Sequence, residues 1–156
     1  GISAGNTQTV MRFKNILFPT DFSDCSLVAL EYARDIAEKF GGTLHVLTVV
    51  YDLSAPPGVV PFPASYQAML SDLESSAKAH LENITAGIKG VAQIRSAVRK
   101  GMEDQEILRY ASDNEIDLIV MGTHGRRGLE QLIIGSTTEK VIRRAKAPVL
   151  TIRMPE

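Results

Sequence analysis

Apolar residues in this chain arrive in two alternating rhythms. Short blocks of contiguous apolar and β-branched residues are separated by longer stretches in which apolar positions recur every three or four residues. Asn-Ile-Leu-Phe-Pro at 15–19 reads as a short buried strand, closed by Pro19 and the turn-prone Asp21. Ser23 or Asp24 caps the helix that follows, in which Leu27, Leu30, Ala33, Ala37 and Phe40 form the inward stripe. Gly41-Gly42 stops that helix, and Thr43 to Val50 is apolar with little alternation, as in a strand covered on both faces. Residues 66–88 carry a long helical pattern with Met69, Leu73, Ala77 (or Ala79), Leu81 and Ile84 on one side. A weaker strand is expected over 91–98, then a helix over 101–112 with Ile107, Leu108 and Ala111 inward. Ile116 to Met121 is a strongly buried strand, Ser136 to Ala145 the last helix, and Val149 to Arg153 the last strand.

Strands thus alternate with helices nine elements long, and parallel strands require such crossovers, nearly always right-handed. The expected fold class is α/β, an open five-stranded parallel sheet with helices on both faces. Ligands of such sheets sit beyond the carboxyl ends of the strands, where the strand order reverses. Pro19-Thr20-Asp21, Val49-Val50-Tyr51, Ala97 to Arg99 and Gly122 onward are therefore the positions of interest. Two segments stand outside the rhythm. Residues 1–10 are small, polar and aperiodic and are expected to be an extension, leaving 11–156 as one domain. Asp52 to Ser65 holds Pro56, Pro57, Pro61 and Pro63, so neither helix nor central strand runs through it.

Composition narrows the function. The 156 residues are 44% hydrophobic and 22% charged, ordinary for a folded globular chain and unlike disorder, collagen or coiled coil. With 17 Lys and Arg against 18 Asp and Glu the net charge is −1, so no global field collects nucleic acid or anionic lipid. A single cysteine, Cys25, forms neither an internal disulfide nor a zinc site, and it reads as structural at the start of a helix. No apolar run approaches the ~20 residues of a membrane span, and the expected compartment is the cytoplasm.

The segment from Gly122 to Glu139 carries the most chemistry. It starts where a buried strand ends, and Ser136-x-x-Glu139 matches a capping box at the start of a helix. Free amides at 135–138 and the helix dipole favour an anion, and Gly122 and Gly125 allow close approach of backbone and ligand. This describes a phosphate cradle with the hydroxyls of Ser136 and Thr137; the same pattern also occurs in α/β proteins without a ligand. There is no Gly-Lys-Ser/Thr and no Gly-x-Gly-x-x-Gly, which excludes the Walker loop and the dinucleotide fingerprint. His124, Arg126 and Arg127 lie inside the loop, either toward phosphate or toward solvent; His45 and His80 are too scattered for a metal set. Arg143, Arg144 and Lys146 suit the negative end of the last helix.

Gly122-x2-Gly125-x9-Gly135-Ser136 resembles the nucleotide-binding signature of the universal stress proteins. The opening Lys14-Asn-Ile-Leu-Phe-Pro-Thr-Asp21-Phe-Ser and the ending Ala147-Pro148-Val-Leu-Thr-Ile-Arg153 resemble the same family, so the likeness spans nearly the whole chain. The resemblance implies the flavodoxin-like strand order 3-2-1-4-5 and binding of ATP, ADP or AMP, with Mg²⁺ accompanying the nucleotide. It also implies placements for named residues: Pro19, Thr20 and Asp21 against the nucleoside, with Asp21 accepting from a ribose hydroxyl. Val49 would pack on the adenine, Met121 and Gly122 would line base and ribose, and Gly125, Gly135, Ser136 and Thr137 would hold phosphates. Asp21 equally suits a turn after Pro19. The family further implies a homodimer paired through the last strand, with Val149, Leu150 and Ile152 as its apolar edge. The expected function is a stress-response binding and regulatory module. Its alternatives are a slow ATPase or phosphotransferase in the same pocket, for which no general base stands out, and an interaction protein with an empty pocket.

Overall fold

In a computed structural model of the chain, residues 13–54, 62–123 and 134–155 are described. Five strands and four helices alternate: β1 (Asn15–Pro19), α1 (Asp24–Phe40), β2 (Thr43–Tyr51), α2 (Ala64–Ala86), β3 (Gln93–Gly101), α3 (Glu103–Asp113), β4 (Leu118–Gly122), α4 (Ser136–Arg144) and β5 (Val149–Ile152). The strands form one parallel sheet in the order β3-β2-β1-β4-β5. The order reverses beside β1, which pairs with β2 on one side and β4 on the other.

Side chains alternate across a strand, and β1 shows how this divides the core. Ile16 and Phe18, with Leu44 and Val46 of β2, meet Ala29, Ala33 and Ala37 of α1 and Leu81 of α2. Leu17, with Leu47 and Ile119, meets Ile107 and Tyr110 of α3 and Val141 of α4 on the opposite face. Ile16, Leu17 and Phe18 have no exposed surface, and burying such side chains stabilises by about 1.5–3 kcal/mol each. The alanine line lets α1 lie close to the sheet.

Ser23 caps α1 by accepting from the Ser26 amide, and Gly41 ends it in the left-handed region at φ 64°. Several expectations need correction. Phe40 is half exposed rather than inward, because its ring leaves the stripe to pack edge-on against Phe13 at 5.0 Å. In α2 the buried positions are Leu70, Ala77 and Leu81; Ala77 and Leu81 are inward as expected, whereas Met69 and Leu73 are about half exposed and Leu70 is buried in the first turns instead. The weak third strand runs over Gln93–Gly101, three residues beyond its expected end, so α3 starts later, at Glu103. In β5 the Ile152 side chain is buried against the α1 side of the core, whereas Leu150 is 37% exposed. Residues 1–12, and with them the expected extension, lie outside the described residues.

Candidate functional site

β1 ends in a turn strapped by its own side chains. The Thr20 amide donates to the Leu47 carbonyl at 2.8 Å, continuing the β1–β2 ladder one step past the strand. The buried Thr20 hydroxyl lies 2.8 Å from that of Ser26 and accepts from the Phe22 amide at 2.9 Å. Asp21 Oδ1 accepts from the Ser23 amide at 3.0 Å, the Asx turn expected from its position, and its second oxygen has no hydrogen bond within the described residues. Between them Phe22 sits at φ 66°, an uncommon conformation for a bulky side chain. These bonds hold the conformation and send the Phe22 ring to His80 of α2, edge-on at 4.8 Å.

β4 and α4 are tied together where the long loop leaves and returns. The Gly135 amide donates to the Thr123 carbonyl at 2.7 Å, and the buried Thr138 hydroxyl donates to the Gly122 carbonyl at 3.0 Å. The capping box is not formed. Gly135 is the N-cap and supplies no side chain, and Glu139 reaches forward to Arg143 instead of back to Ser136. An uncapped start leaves the Ser136 and Thr137 amides and hydroxyls without partners among the described residues, which is how an anion-binding helix end is presented.

Gly122 has a packing reason of its own to be glycine. A Cβ there would lie 2.6 Å from the Cys25 carbonyl oxygen, so glycine is needed to seat β4 on the first turn of α1. Cys25 itself is partly buried, with Sγ 3.3 Å from Met154 Sδ, in keeping with a structural role.

Both turns open on one cleft of about 620 Å³ at the carboxyl ends of the strands. Pro19, Thr20, Asp21, Val49, Met121, Gly122, Gly135, Ser136 and Thr137 all line it. Gly125, with His124, Arg126 and Arg127, lies outside the described residues. Just past the end of β2, Asp52 accepts from the Ser54 hydroxyl and amide and from the Tyr66 hydroxyl. The Ser54 hydroxyl is the main cause holding the Asp52 carboxyl below its ordinary value. Tyr66 also accepts from the Leu53 amide at 2.8 Å, closing the ends of the proline-rich segment, of which residues 55–61 lie outside the described residues.

The whole arrangement has known counterparts. A family model described as the universal stress protein family matches residues 12–153. The chain belongs to the universal stress protein family. It is 34% identical over 149 residues to universal stress protein MJ0531 of Methanocaldococcus jannaschii, an alignment covering 92% of this chain and 84% of that one. Among solved structures, MJ0577 of the same organism matches with TM-score 0.78 and 27% identity, covering 94% of this chain and 99% of the other. UspA from Lactobacillus plantarum matches with TM-score 0.75 and 29% identity, covering 92% and 99%. A universal stress protein in complex with cAMP matches with TM-score 0.61 and 25% identity, covering 93% and 100%.

One wall of the cleft is built from residues of α2 that belong to no motif. Leu73, Ser76, Ala77 and His80 of α2 line it, as do Phe22 and Glu103. Their spacing of three or four marks a helix face, but nothing in the chain says that this turn of α2 overlooks the end of β1. His45 behaves as its strand position suggests. It is buried, with Nδ1 2.7 Å from the Tyr110 hydroxyl and Nε2 3.0 Å from Asn15 Oδ1. No group of three His, Cys, Asp or Glu able to hold a metal occurs among the described residues.

Proposed function

We propose that this universal stress protein binds an adenine nucleotide, ATP or a close relative, and works as a ligand-controlled binding module. The observation that carries the reading is the convergence of the Pro19–Asp21 turn and the uncapped start of α4 on one cleft. A cleft of about 620 Å³ falls in the range that buries a ligand of this size. In this reading Val49 and Met121 supply apolar contact to the base, and the free oxygen of Asp21 accepts from a ribose hydroxyl. Gly125, Gly135, Ser136 and Thr137 hold the phosphates through amides and hydroxyls. Such a site needs no lysine, and Mg²⁺ enters with the nucleotide, keeping most of its waters. The related structure in complex with cAMP supports the nucleotide class.

The same reading has the protein cytoplasmic and homodimeric, paired through the free edge of β5 around Leu150. The decisive experiment is mass spectrometry of small molecules released from freshly purified protein, followed by calorimetric titration with ATP, AMP and cAMP. A released adenine nucleotide, or saturable binding of one of the three, is the expected result. No released nucleotide and no heat with any of them would leave the empty-pocket module as the better account.

A further inference from the structure

The edge of the sheet opposite β5 has a chemistry of its own. β3 is a nine-residue strand paired only with β2, so one side of its backbone is open among the described residues. Exposed edges of this length are usually shortened, bulged or covered, because they invite another strand. Arg95 and Arg99 lie on its α3 side, where Arg95 is opposite His45 in register and the Arg99 guanidinium sits 5.2 Å from the centre of the Tyr110 ring. Neither arginine forms an ion pair within the described residues. Lys100, on the other face, is already paired with Glu74 of α2 at 3.0 Å.

We propose that β3 docks an extended acidic peptide segment, which adds to the sheet as a sixth strand. Side chains directly opposite Arg95 and Arg99 on an added strand are four residues apart, and the one between them faces Ala97. Ala97 is small and partly buried against the core beside Leu47 and Tyr110, so a larger apolar side chain fits above it. The partner therefore reads acidic-x-apolar-x-acidic in an extended stretch. Backbone hydrogen bonds supply attachment and the two carboxylates supply register and selectivity. Stacking on Tyr110 holds Arg99 in place before the partner arrives. A second copy of this chain is the poorer occupant, since antiparallel pairing of two β3 edges centred on Ala97 sets Arg95 against Arg99. Arg95, Ala97 and Arg99 are not among the residues that line the cleft, although Arg99 is in register with Val49, which is; the proposal does not depend on how that cleft is read.

The test uses the full chain and a fluorescein-labelled, end-blocked peptide Thr-Glu-Val-Leu-Val-Glu-Thr, followed by anisotropy. Binding is expected with Kd on the order of 100 μM, as small edge contacts bind weakly, and to weaken with added salt. Exchanging both glutamates for lysine should weaken binding at least about tenfold against the unaltered protein. The Arg95→Glu, Arg99→Glu double variant should reverse the preference and take the lysine peptide. Amide shifts in the ¹⁵N spectrum should cluster on β3. No binding up to ~1 mM, equal binding of both peptides, or shifts elsewhere would overturn the proposal. So would self-association through β3, or tighter binding of a dT10 oligonucleotide at this edge. If the double variant does not fold, the peptide exchange on the unaltered protein still decides.

Discussion

The Thr138 hydroxyl hangs the first turn of α4 on the Gly122 carbonyl, the last residue of β4, across 3.0 Å of buried space. With the Gly135–Thr123 backbone bond it closes the loop that leaves the sheet at 123 and returns at 134. Thr138, itself in the wall of the cleft, thereby sets where the free amides of Ser136 and Thr137 point.

Replacing Thr138 by Val keeps its shape and removes the donor, leaving the Gly122 carbonyl unsatisfied. The expected loss is about 1–3 kcal/mol of stability, read from the denaturant midpoint. Nucleotide affinity should fall as well. A variant with unaltered midpoint and affinity would show that the tie does not position α4.

Gly122→Ala separates packing from ligand approach. The added carbon meets the Cys25 carbonyl at 2.6 Å, so β4 or α1 must shift. A cost of about 1–3 kcal/mol in unfolding free energy is expected whether or not nucleotide is present. Full stability with selective loss of binding would restore the close-approach explanation.

Asp21 has two separable duties. Asp21→Asn keeps an acceptor for the Ser23 amide but loses the charge, whereas Asp21→Ala loses both. On the proposed ribose contact, the Ala variant should weaken ATP binding by about tenfold or more and Asn by less, in calorimetric titration. The Ala variant should also lower the melting temperature. Unchanged affinity in both would remove Asp21 from the site.

His45 makes the stability pH-dependent. Burial chiefly, and the nearby Arg95 charge secondarily, lower its pKa from 6.5, so the unfolded chain takes up the proton more readily than the fold. Its contribution is complete above pH 6.5 and is lost as pH falls from there toward the lowered folded value. Burial also raises the Tyr110 phenol, which stays neutral and donates to His45 Nδ1. Unfolding free energy should therefore fall as the pH drops below 6.5, and His45→Gln should flatten that slope. An equal slope in the variant would assign it to other groups.

Leu150→Lys puts a charge on the free edge of β5, where Leu150 is 37% exposed. On the proposed pairing, sedimentation should show a shift from dimer to monomer with little change in melting temperature. A dimer that survives the substitution was not built through this strand.

Local rules were enough for much of this molecule. The apolar blocks at 15–19, 43–50 and 116–121, the Ser23 cap and the Gly41 stop each depend on neighbours within a turn or a strand pair. The alternation of strand and helix then required parallel pairing, and the two motifs flanking the sheet reversal, with Val49 at the end of β2 and the family resemblance, named nine residues that share the cleft. What distance along the chain separates, only packing could decide. Phe40 turned to Phe13, α2 buried Leu70 and left Met69 exposed, and the α2 wall with His80 met the Phe22 turn. Gly122 needs its missing side chain because of Cys25, almost a hundred positions earlier, and the start of α4 is held by Thr138 rather than by a capping box. Periodicity tells which way a side chain faces along its own element. Which atom it finds there depends on how the elements close on one another, and no local pattern contains that.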